Sequence, residues 1–423
     1  MVFLVEHQEH QEHQEVKGQE EQEEQEIHQE DTAMMESQDR AENLVRQEVL
    51  SQLTSFPSLE GFRAATIKFF NLHLSRYPRS VWGTLGSSIY QDLIESAIVP
   101  AIEGVMLRRP SLCLDNTPVV YSQSLATMQK RQDDREGMTF RLLVEPGGTG
   151  ITVAKQVDVA LLTADRIIQR LNWQAAISDL NGLVARVFPD DASVLQNWWG
   201  GIWLGLAVSL HSLQLRLYLN LRHGNAHARW QRFADVMGFL GDETLGDLLQ
   251  RLASTVAPFA IPVGVGVVLS ENRVAALRLY VGVYHPTQET IKSLLIDSNE
   301  RKDQVVVELF ESFGTLIGLS KSQSVTIGYD FFLDNHGIIL PLIERVKIDV
   351  CCQFMSEDCE PELYATLSRF AQIWQLDIDP LKFFVADLVE SFGGYRTEFV
   401  SFSLSGESPG ITVYAKPDGY PLD

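Results

Sequence analysis

The sequence lacks the residues and runs that mark several common classes of protein. Its 423 residues include four cysteines, none of them in a Cys-x-x-Cys pair, so neither a zinc site nor a disulfide framework is indicated. No apolar run approaches the roughly 18 residues that a membrane-spanning helix needs. The first residues are too short an apolar stretch for a secretory signal, and we expect a cytoplasmic protein that acts away from membranes.

Positive charge is also scarce in this chain. It has 34 lysines and arginines against 56 acidic residues, so a nucleic-acid partner is not expected. Residues 6–31 are rich in Glu, Gln and His and hold eleven acidic residues and one lysine. They offer too few apolar groups to offset the entropy of ordering, so residues 1–31 are predicted to be a disordered tail. Any positive charge that matters for function must be local.

Two stretches alternate strictly between apolar and polar residues, as strands with two different faces do. In LQLRLYLNL every second residue is leucine, and Arg216 and Tyr218 stand on the opposite face. In AALRLYVGVYH, Arg278 and Tyr280 stand in the same way opposite leucine and valine. The triplet Arg-Leu-Tyr thus occurs twice at the same strand phase, 62 residues apart, which indicates an internal repeat.

Ten such strand segments occur in five pairs, and helical sequence follows each of the first four pairs. The pairs are 117–124 with 139–146, 205–212 with 213–221, 262–270 with 275–285, 324–334 with 345–354, and 397–405 with 410–417. The helical stretch after the first pair is predicted to run from 157 to 187. Residues 32–116 are also predicted to be helical and to pack on the domain that residues 117–423 form.

Strand pairs that alternate with helices favour an antiparallel sheet covered by helices on one side. Ten strands can close into a barrel, which removes the exposed strand edges. We therefore predict an α+β fold in which a ten-stranded antiparallel β-barrel, built from five strand-strand-helix repeats, is surrounded by a ring of α-helices. The apolar face of each strand must then point outward to the helices, and the polar face must line the lumen.

This alternation of outward and inward positions, which we call strand parity, places a set of basic and aromatic side chains inside the barrel. The inward basic residues are Arg141, Arg216, Arg278 and Lys347, and the inward tyrosines are Tyr218, Tyr280 and Tyr414. Buried cations are costly unless water, carboxylates or an anionic ligand compensate them. The carboxylates of Glu145, Asp330 and Asp349 could neutralise part of this charge, which is the purely structural alternative.

Arginine and tyrosine together suit one kind of ligand. The guanidinium fork donates paired hydrogen bonds to phosphate, and the face of an aromatic ring stabilises a cation. A lumen with both is predicted to hold a diphosphate at one end and a developing carbocation beside it. Gly264, Gly266 and Gly328 also fall on the inward parity and would leave room for a prenyl chain longer than five carbons.

The chain resembles the aromatic prenyltransferases of the ABBA class from about residue 40 onward, and within that class the bacterial indole enzymes of the dimethylallyltryptophan-synthase type. The motifs TFRLLVEP, LRLYLN, LRLYVGV, VKIDV and FSLSGESPGITVYAKP fall in order at the corresponding strands. The resemblance implies a monomeric or homodimeric enzyme of secondary metabolism. It would transfer a dimethylallyl or geranyl group from its diphosphate to a small electron-rich aromatic acceptor, such as an indole derivative.

The resemblance also implies roles for individual residues. The diphosphate-binding residues would be Arg141, Arg216, Tyr218, Arg278, Tyr280, Lys347 and Tyr414, and the catalytic residues would be Glu145, Tyr218, Tyr280 and Tyr414. Ala276 stands where a further basic residue is usual, and Lys347 is the candidate to compensate for it. No metal site is expected, since the chain has no Asp-Asp-x-x-Asp motif, and no cofactor is required although Mg²⁺ is compatible with the chemistry.

The acceptor end departs from the family. Val120 stands where tryptophan-prenylating members have the glutamate that accepts the indole N–H, so free tryptophan is expected to be a poor substrate. A carboxylate from the loop at 125–138, namely Asp133, Asp134 or Glu136, is an alternative anchor. Two other readings stay open: a noncatalytic barrel that binds an isoprenoid or another anionic ligand, and a prenyltransferase with a phenolic or peptide acceptor.

Overall fold

A computed structural model of the chain describes the ten barrel strands and nine helices around them. The described residues are 59–76, 119–125, 139–146, 152–189, 195, 200–209, 212–241, 245–270, 272–283, 286–295, 300–313, 325–334, 336–340, 342–343, 345–352, 355, 359–405 and 408–417. The predicted tail at 1–31, most of the segment at 32–116 and the loop with the three candidate carboxylates lie outside them. The predicted domain boundaries therefore stay predictions.

The strands form one closed antiparallel barrel. They are β1 (Val119–Leu125), β2 (Thr139–Val144), β3 (Ile202–Ser209), β4 (Leu213–Asn220), β5 (Ala260–Ser270), β6 (Arg273–Val283), β7 (Val325–Phe332), β8 (Arg345–Cys351), β9 (Tyr395–Ser405) and β10 (Ser408–Pro417). Each strand pairs with its neighbours in the chain, and β1 closes the ring by pairing with β10. The predicted fold class is confirmed.

The described helices pack on the outside of the barrel. They are α1 (Leu59–Leu74), α2 (Val153–Leu171), α3 (Ala175–Val187), α4 (Ala226–Leu240), α5 (Leu245–Val256), α6 (Gln288–Leu294), α7 (Glu300–Phe313), α8 (Glu360–Ile373) and α9 (Asp379–Phe392). Among the described residues, no helix combines the length and the apolar character that crossing a membrane requires.

The single helical stretch predicted from 157 to 187 is wrong in one respect, because it is two helices. Asn172 ends α2 in the left-handed region, with φ of 57°, and its N–H bonds back to the carbonyl of Gln169 at 3.1 Å. Asparagine tolerates this conformation better than most residues. The chain therefore turns at Asn172, and α3 begins at Ala175 on a new axis.

The outward faces of the strands and the inward faces of the helices form one large apolar layer, which we call the outer core. The leucines of β4 at 215, 217 and 219 are fully buried in it. Aromatic rings join α1 to the barrel, with the ring centroid of Phe69 4.8 Å from that of Tyr121. The outward orientation predicted for the apolar face is therefore confirmed.

The outer core also contains a buried ionic cluster between α1, α9 and β1. His73 Nδ1 lies 2.9 Å from Asp387 Oδ2, and His73 Nε2 lies 3.1 Å from Gln123 Oε1. The guanidinium of Arg76 donates to both oxygens of Asp387, at 3.0 and 2.7 Å. The cluster ties two helices to the first barrel strand.

Candidate active site

A second apolar cluster lies inside the barrel, separate from the outer core. It consists of Val120, Leu143, Tyr218 and Tyr414, with Trp203, Tyr280 and Phe399 packed against it. We call the end of the lumen near Thr139, Ser209 and Gln214 the upper end, and the end near Glu145 and Lys416 the lower end. The strand register places the inward basic residues toward the upper end and the aromatic cluster below them.

Carboxylates of the barrel neutralise two of the predicted cations. Arg278 forms a two-pronged ion pair with Asp330, the residue directly opposite on β7, with Nη2 to Oδ2 at 2.6 Å and Nε in contact with Oδ1. Lys347 Nζ lies 2.8 Å from Asp349 Oδ1 and donates to Tyr414 Oη at 2.9 Å. Lys347 is therefore engaged by Asp349 and Tyr414, and its role in place of the basic residue missing at position 276 stays a prediction.

The other two predicted cations form no close ion pair with a carboxylate among the described residues, although the field of Asp330 reaches Arg216. Arg141 Nη1 donates to Ser124 Oγ at 2.7 Å, and Arg216 Nη2 donates to Gln214 Oε1 at 2.7 Å, so both partners are neutral. The Nε atoms of both guanidiniums are buried without any hydrogen-bond partner. Burial and the field of Arg216 lower the pKa of Arg141, which means that the charge there is electrostatically unfavourable without an anion.

These two arginines line a small pocket at the upper end of the lumen. Its other polar groups are the hydroxyls of Thr139, Ser209 and Ser212 and the amide of Gln214. Guanidinium and hydroxyl donors around a small cavity make a site for a phosphate-containing anion. The arrangement brings together the first two of the predicted diphosphate-binding residues.

The tyrosines form an aromatic belt below this cavity. The ring centroids of Tyr218 and Tyr280 are 6.0 Å apart, and those of Phe399 and Tyr414 are 6.4 Å apart. Burial raises the pKa of Tyr280, which keeps it a neutral phenol. Burial also acts to raise the pKa of Tyr414, but Lys347 and Arg141 outweigh it and the net shift is downward. The pKa values of the two phenols are thus shifted in opposite directions within one lumen.

The inward glycines make room for this belt. A Cβ at Gly266 would lie 3.3 Å from the ring of Tyr280, and a Cβ at Gly328 would lie 3.1 Å from the side chain of Arg278. A Cβ at Gly205 would lie 3.2 Å from the ring of Tyr218. The space beside these glycines is therefore filled by the side chains of the site itself, and only Gly264, where the nearest side-chain atom is at 3.9 Å, has more open surroundings.

The lower end of the lumen holds the remaining polar groups. Glu145 is buried, and its Oε2 accepts a hydrogen bond of 3.3 Å from the indole Nε1 of Trp203. Lys416 Nζ lies 2.7 Å from Glu398 Oε1, and both side chains are at most 5% exposed. Val120 lies on the inward face of β1 opposite Leu143, as the predicted strand parity requires.

Sequence reasoning overlooked Trp203, Arg345 and Lys416. Arg345 Nε lies 3.8 Å from Asp330 Oδ2, next to the ion pair of that carboxylate with Arg278. Arg345 and Lys416 are each two positions from a predicted inward residue on the same strand, so strand parity would have found them. Trp203 precedes the strand that was predicted at 205–212, which in the structure begins at Ile202. Among the described residues, no group of three histidine, cysteine or acidic side chains is arranged to hold a metal ion.

Comparison with known proteins finds similarity in structure but not in sequence. No protein-family profile matches the chain, and no curated protein matches it in sequence. The barrel with its surrounding helices has the fold of the ABBA-class aromatic prenyltransferases, so the fold that the resemblance implied is confirmed.

Three solved structures illustrate this likeness. The prenyltransferase PriB with its product diphosphate has a TM-score of 0.64 and 15% identity, over 86% of this chain and 97% of that one. The 5-dimethylallyltryptophan synthase from Streptomyces coelicolor has a TM-score of 0.64 and 16% identity, over 88% of this chain and 100% of that one. The 6-dimethylallyltryptophan synthase from Micromonospora olivasterospora, in complex with DMASPP and Trp, has a TM-score of 0.58 and 17% identity, over 81% and 99%.

Proposed function

We propose that this protein is an aromatic prenyltransferase, which transfers a prenyl group from an allylic diphosphate to an electron-rich aromatic acceptor. The observation that carries the proposal is the pair of arginines, Arg141 and Arg216, which line the upper cavity with buried, unpartnered Nε donors. A prenyl diphosphate supplies the negative charge that these guanidiniums lack. The shared fold with the solved prenyltransferases supports the same assignment.

The first chemical step is departure of the diphosphate. Negative charge grows on the leaving oxygen as the allylic C–O bond breaks, and fixed guanidiniums stabilise that charge without having to reorganise. Arg141 and Arg216 hold the leaving group in this proposal, and the hydroxyls of Thr139 and Ser209 add further donors. The stabilisation comes from protein cations, so we expect transfer to continue in the presence of EDTA.

The second step requires protection of the allylic cation. Tyr218, Tyr280 and Tyr414 lie in the lumen below the cavity, where their rings exclude water and present the negative faces of their π systems. The three rings serve as a shield until the acceptor ring attacks. The cation is thereby held between the departing diphosphate above and the acceptor below.

The acceptor is assigned to the lower end of the lumen. There the carboxylate of Glu145 already accepts a hydrogen bond from an indole N–H, that of Trp203. An indole derivative is the acceptor class that such a carboxylate would hold, and Glu145 is the candidate to receive the ring proton after attack. Val120 contributes no polar group at this end, which supports the expectation that free tryptophan binds poorly.

The proposal is tested by incubating the purified protein with dimethylallyl or geranyl diphosphate and a panel of indoles and phenols. We expect a product whose mass is increased by one prenyl group, with and without EDTA. Binding of the diphosphate without any prenylated product would instead identify a noncatalytic binding barrel. Loss of the product in EDTA would show that a metal ion carries part of the leaving-group stabilisation.

The acceptor assignment has its own test, in which free tryptophan is compared with other indoles on the wild type and on Val120→Glu. A carboxylate at position 120 is expected to improve turnover of free tryptophan relative to the other indoles. A wild type that prenylates free tryptophan efficiently, and loses this activity in Val120→Glu, would show that the acceptor is held elsewhere.

A further inference from the structure

The lumen contains a resident anion of its own in the carboxylate of Asp330. This side chain is 6% exposed and lies between two arginines, since Arg278 binds it through both prongs of its guanidinium and Arg345 approaches to 3.8 Å. The three residues occupy directly opposed positions on β6, β7 and β8. Burial would raise the pKa of Asp330, but the arginines outweigh it and lower the pKa, so the carboxylate is ionised at neutral pH.

We propose that Asp330 is a positioning residue that competes with the prenyl diphosphate for Arg278 and so limits how tightly the barrel holds diphosphate. The inference rests on the proposed function, because it concerns the strength of the same anion site. Without Asp330, the charge of Arg278 would add to those of Arg141 and Arg216. With Asp330 present, Arg141 and Arg216 are left to bind the ligand, and Arg278 is held by the protein.

The geometry supports competition and not a merely structural pairing. Arg278 also lies next to the aromatic belt, with Nη1 3.4 Å from Tyr280 Oη and its guanidinium carbon 5.7 Å from the ring centroid of Tyr280. It therefore borders the space where the diphosphate meets the prenyl chain. In this proposal the guanidinium of Arg278 binds the leaving group when it exchanges its carboxylate partner.

A consequence concerns release of the product. Diphosphate leaves the prenyl carbon with an additional negative charge and would bind more tightly to a lumen in which Arg278 had no carboxylate partner. A resident carboxylate that takes back Arg278 favours departure of the product anion. In this proposal Asp330 therefore lowers the affinity for diphosphate and speeds its release, which raises turnover.

The test measures the affinity for inorganic diphosphate by calorimetry in the wild type, Asp330→Asn and Arg216→Ala. Asp330→Asn keeps the size of the side chain and is expected to bind inorganic diphosphate about tenfold more tightly, with a larger ligand-induced rise in Tm. A gain in affinity cannot arise from damage to the fold. Asp379→Asn is the matched control, because it removes the same charge from an exposed surface ion pair with Lys382, and it should bind as the wild type does.

The outcomes separate this inference from the proposed function. If Arg216→Ala weakens diphosphate binding while Asp330→Asn leaves it unchanged or weaker, Asp330 is a structural partner only and the inference is overturned. If Arg216→Ala leaves diphosphate binding unchanged, the anion site itself is wrong. An equal gain in Asp379→Asn and Asp330→Asn would show a general effect of net charge and would also overturn the inference.

Discussion

The outer and inner faces of the barrel wall differ in how their polar groups are paired, although the same strands form both. On the outside, Leu215, Leu217 and Leu219 of β4 are fully buried in the outer core, and the ionic cluster of His73, Arg76 and Asp387 is closed on itself. On the inside, Arg216 of the same strand has a buried Nε without a partner. The charged groups of this outer cluster are paired with one another, whereas the inner face retains guanidinium donors that a ligand can satisfy.

This difference between the two faces indicates where a ligand site lies in such a barrel. Burying a polar donor without a partner costs about 1 to 3 kcal/mol, so a ligand that supplies the missing partner is favoured. Arg141 and Arg216 have such donors and line one pocket, whereas Arg278 and Lys347 are neutralised by the protein itself. Pairing, and not the mere presence of a basic residue, distinguishes the anion site.

The largest effect is expected from removing an unpaired charge. Arg216→Ala should lower kcat/KM for prenyl transfer by about 10²- to 10³-fold, because one fixed donor to the leaving group is lost. The free energy of unfolding of this variant should stay the same or rise, since a partly buried charge without a close ion pair is removed. Kinetics and chemical denaturation measure the two quantities, with Arg251→Ala, an exposed helix residue, as the control. Unchanged kinetics would contradict the inward placement.

Substitution of the adjacent residue, Leu217, should lower stability and leave activity unchanged. Leu217 is 0% exposed in the outer core, so Leu217→Ala should lower the free energy of unfolding by about 3 kcal/mol through lost burial and the cavity left behind. The kcat of the molecules that remain folded should be close to that of the wild type. Denaturant titration and active-site-normalised rates check this pair of neighbours. A loss of activity without a loss of stability would show that the two faces are not separable.

A smaller loss of stability is expected from the ionic cluster of the outer core. Burial would raise the pKa of Asp387, but the hydrogen bonds from His73 and Arg76 outweigh it and lower the pKa. The stabilisation from a lowered carboxyl pKa is present above the ordinary aspartate pKa and is lost as the pH falls through the folded value. Asp387→Asn should therefore cost about 2 kcal/mol at neutral pH. The difference from the wild type should shrink in acid, and a constant difference from pH 7 to 3 would count against this cluster as its source.

The smallest effect concerns a lumenal hydrogen bond that is already made. Trp203→Phe removes the indole N–H that donates to Glu145 and should lower the free energy of unfolding by about 1 kcal/mol. The same change leaves Glu145 with one donor fewer and should improve the apparent affinity for indole acceptors. Thermal denaturation and acceptor KM values measure the two effects. A higher KM for indole acceptors would show that Trp203 helps to bind the acceptor and does not compete with it for Glu145.

The alternation of side chains determined most of the fold from the sequence alone. The two faces of a strand follow from its period of two, which is a local property of the backbone, so LQLRLYLNL by itself placed Arg216 and Tyr218 opposite the leucines. The helices expected outside the barrel then assigned that polar face to the lumen. The helix break at Asn172 was not visible in this way, because the apolar pattern continues across it. A left-handed cap depends on backbone dihedral angles that many sequences can adopt.

Only the tertiary structure decided which of the inward cations are free. Arg278 and Asp330 are 52 residues apart in the chain, and they face each other because the closed barrel sets the register between β6 and β7. Ion pairing falls off steeply with distance, and a shift of two residues along a strand moves a side chain by about 7 Å. Strand parity therefore determined that these charges are inside, while the register of the closed barrel determined that Arg141 and Arg216 are the ones without a carboxylate.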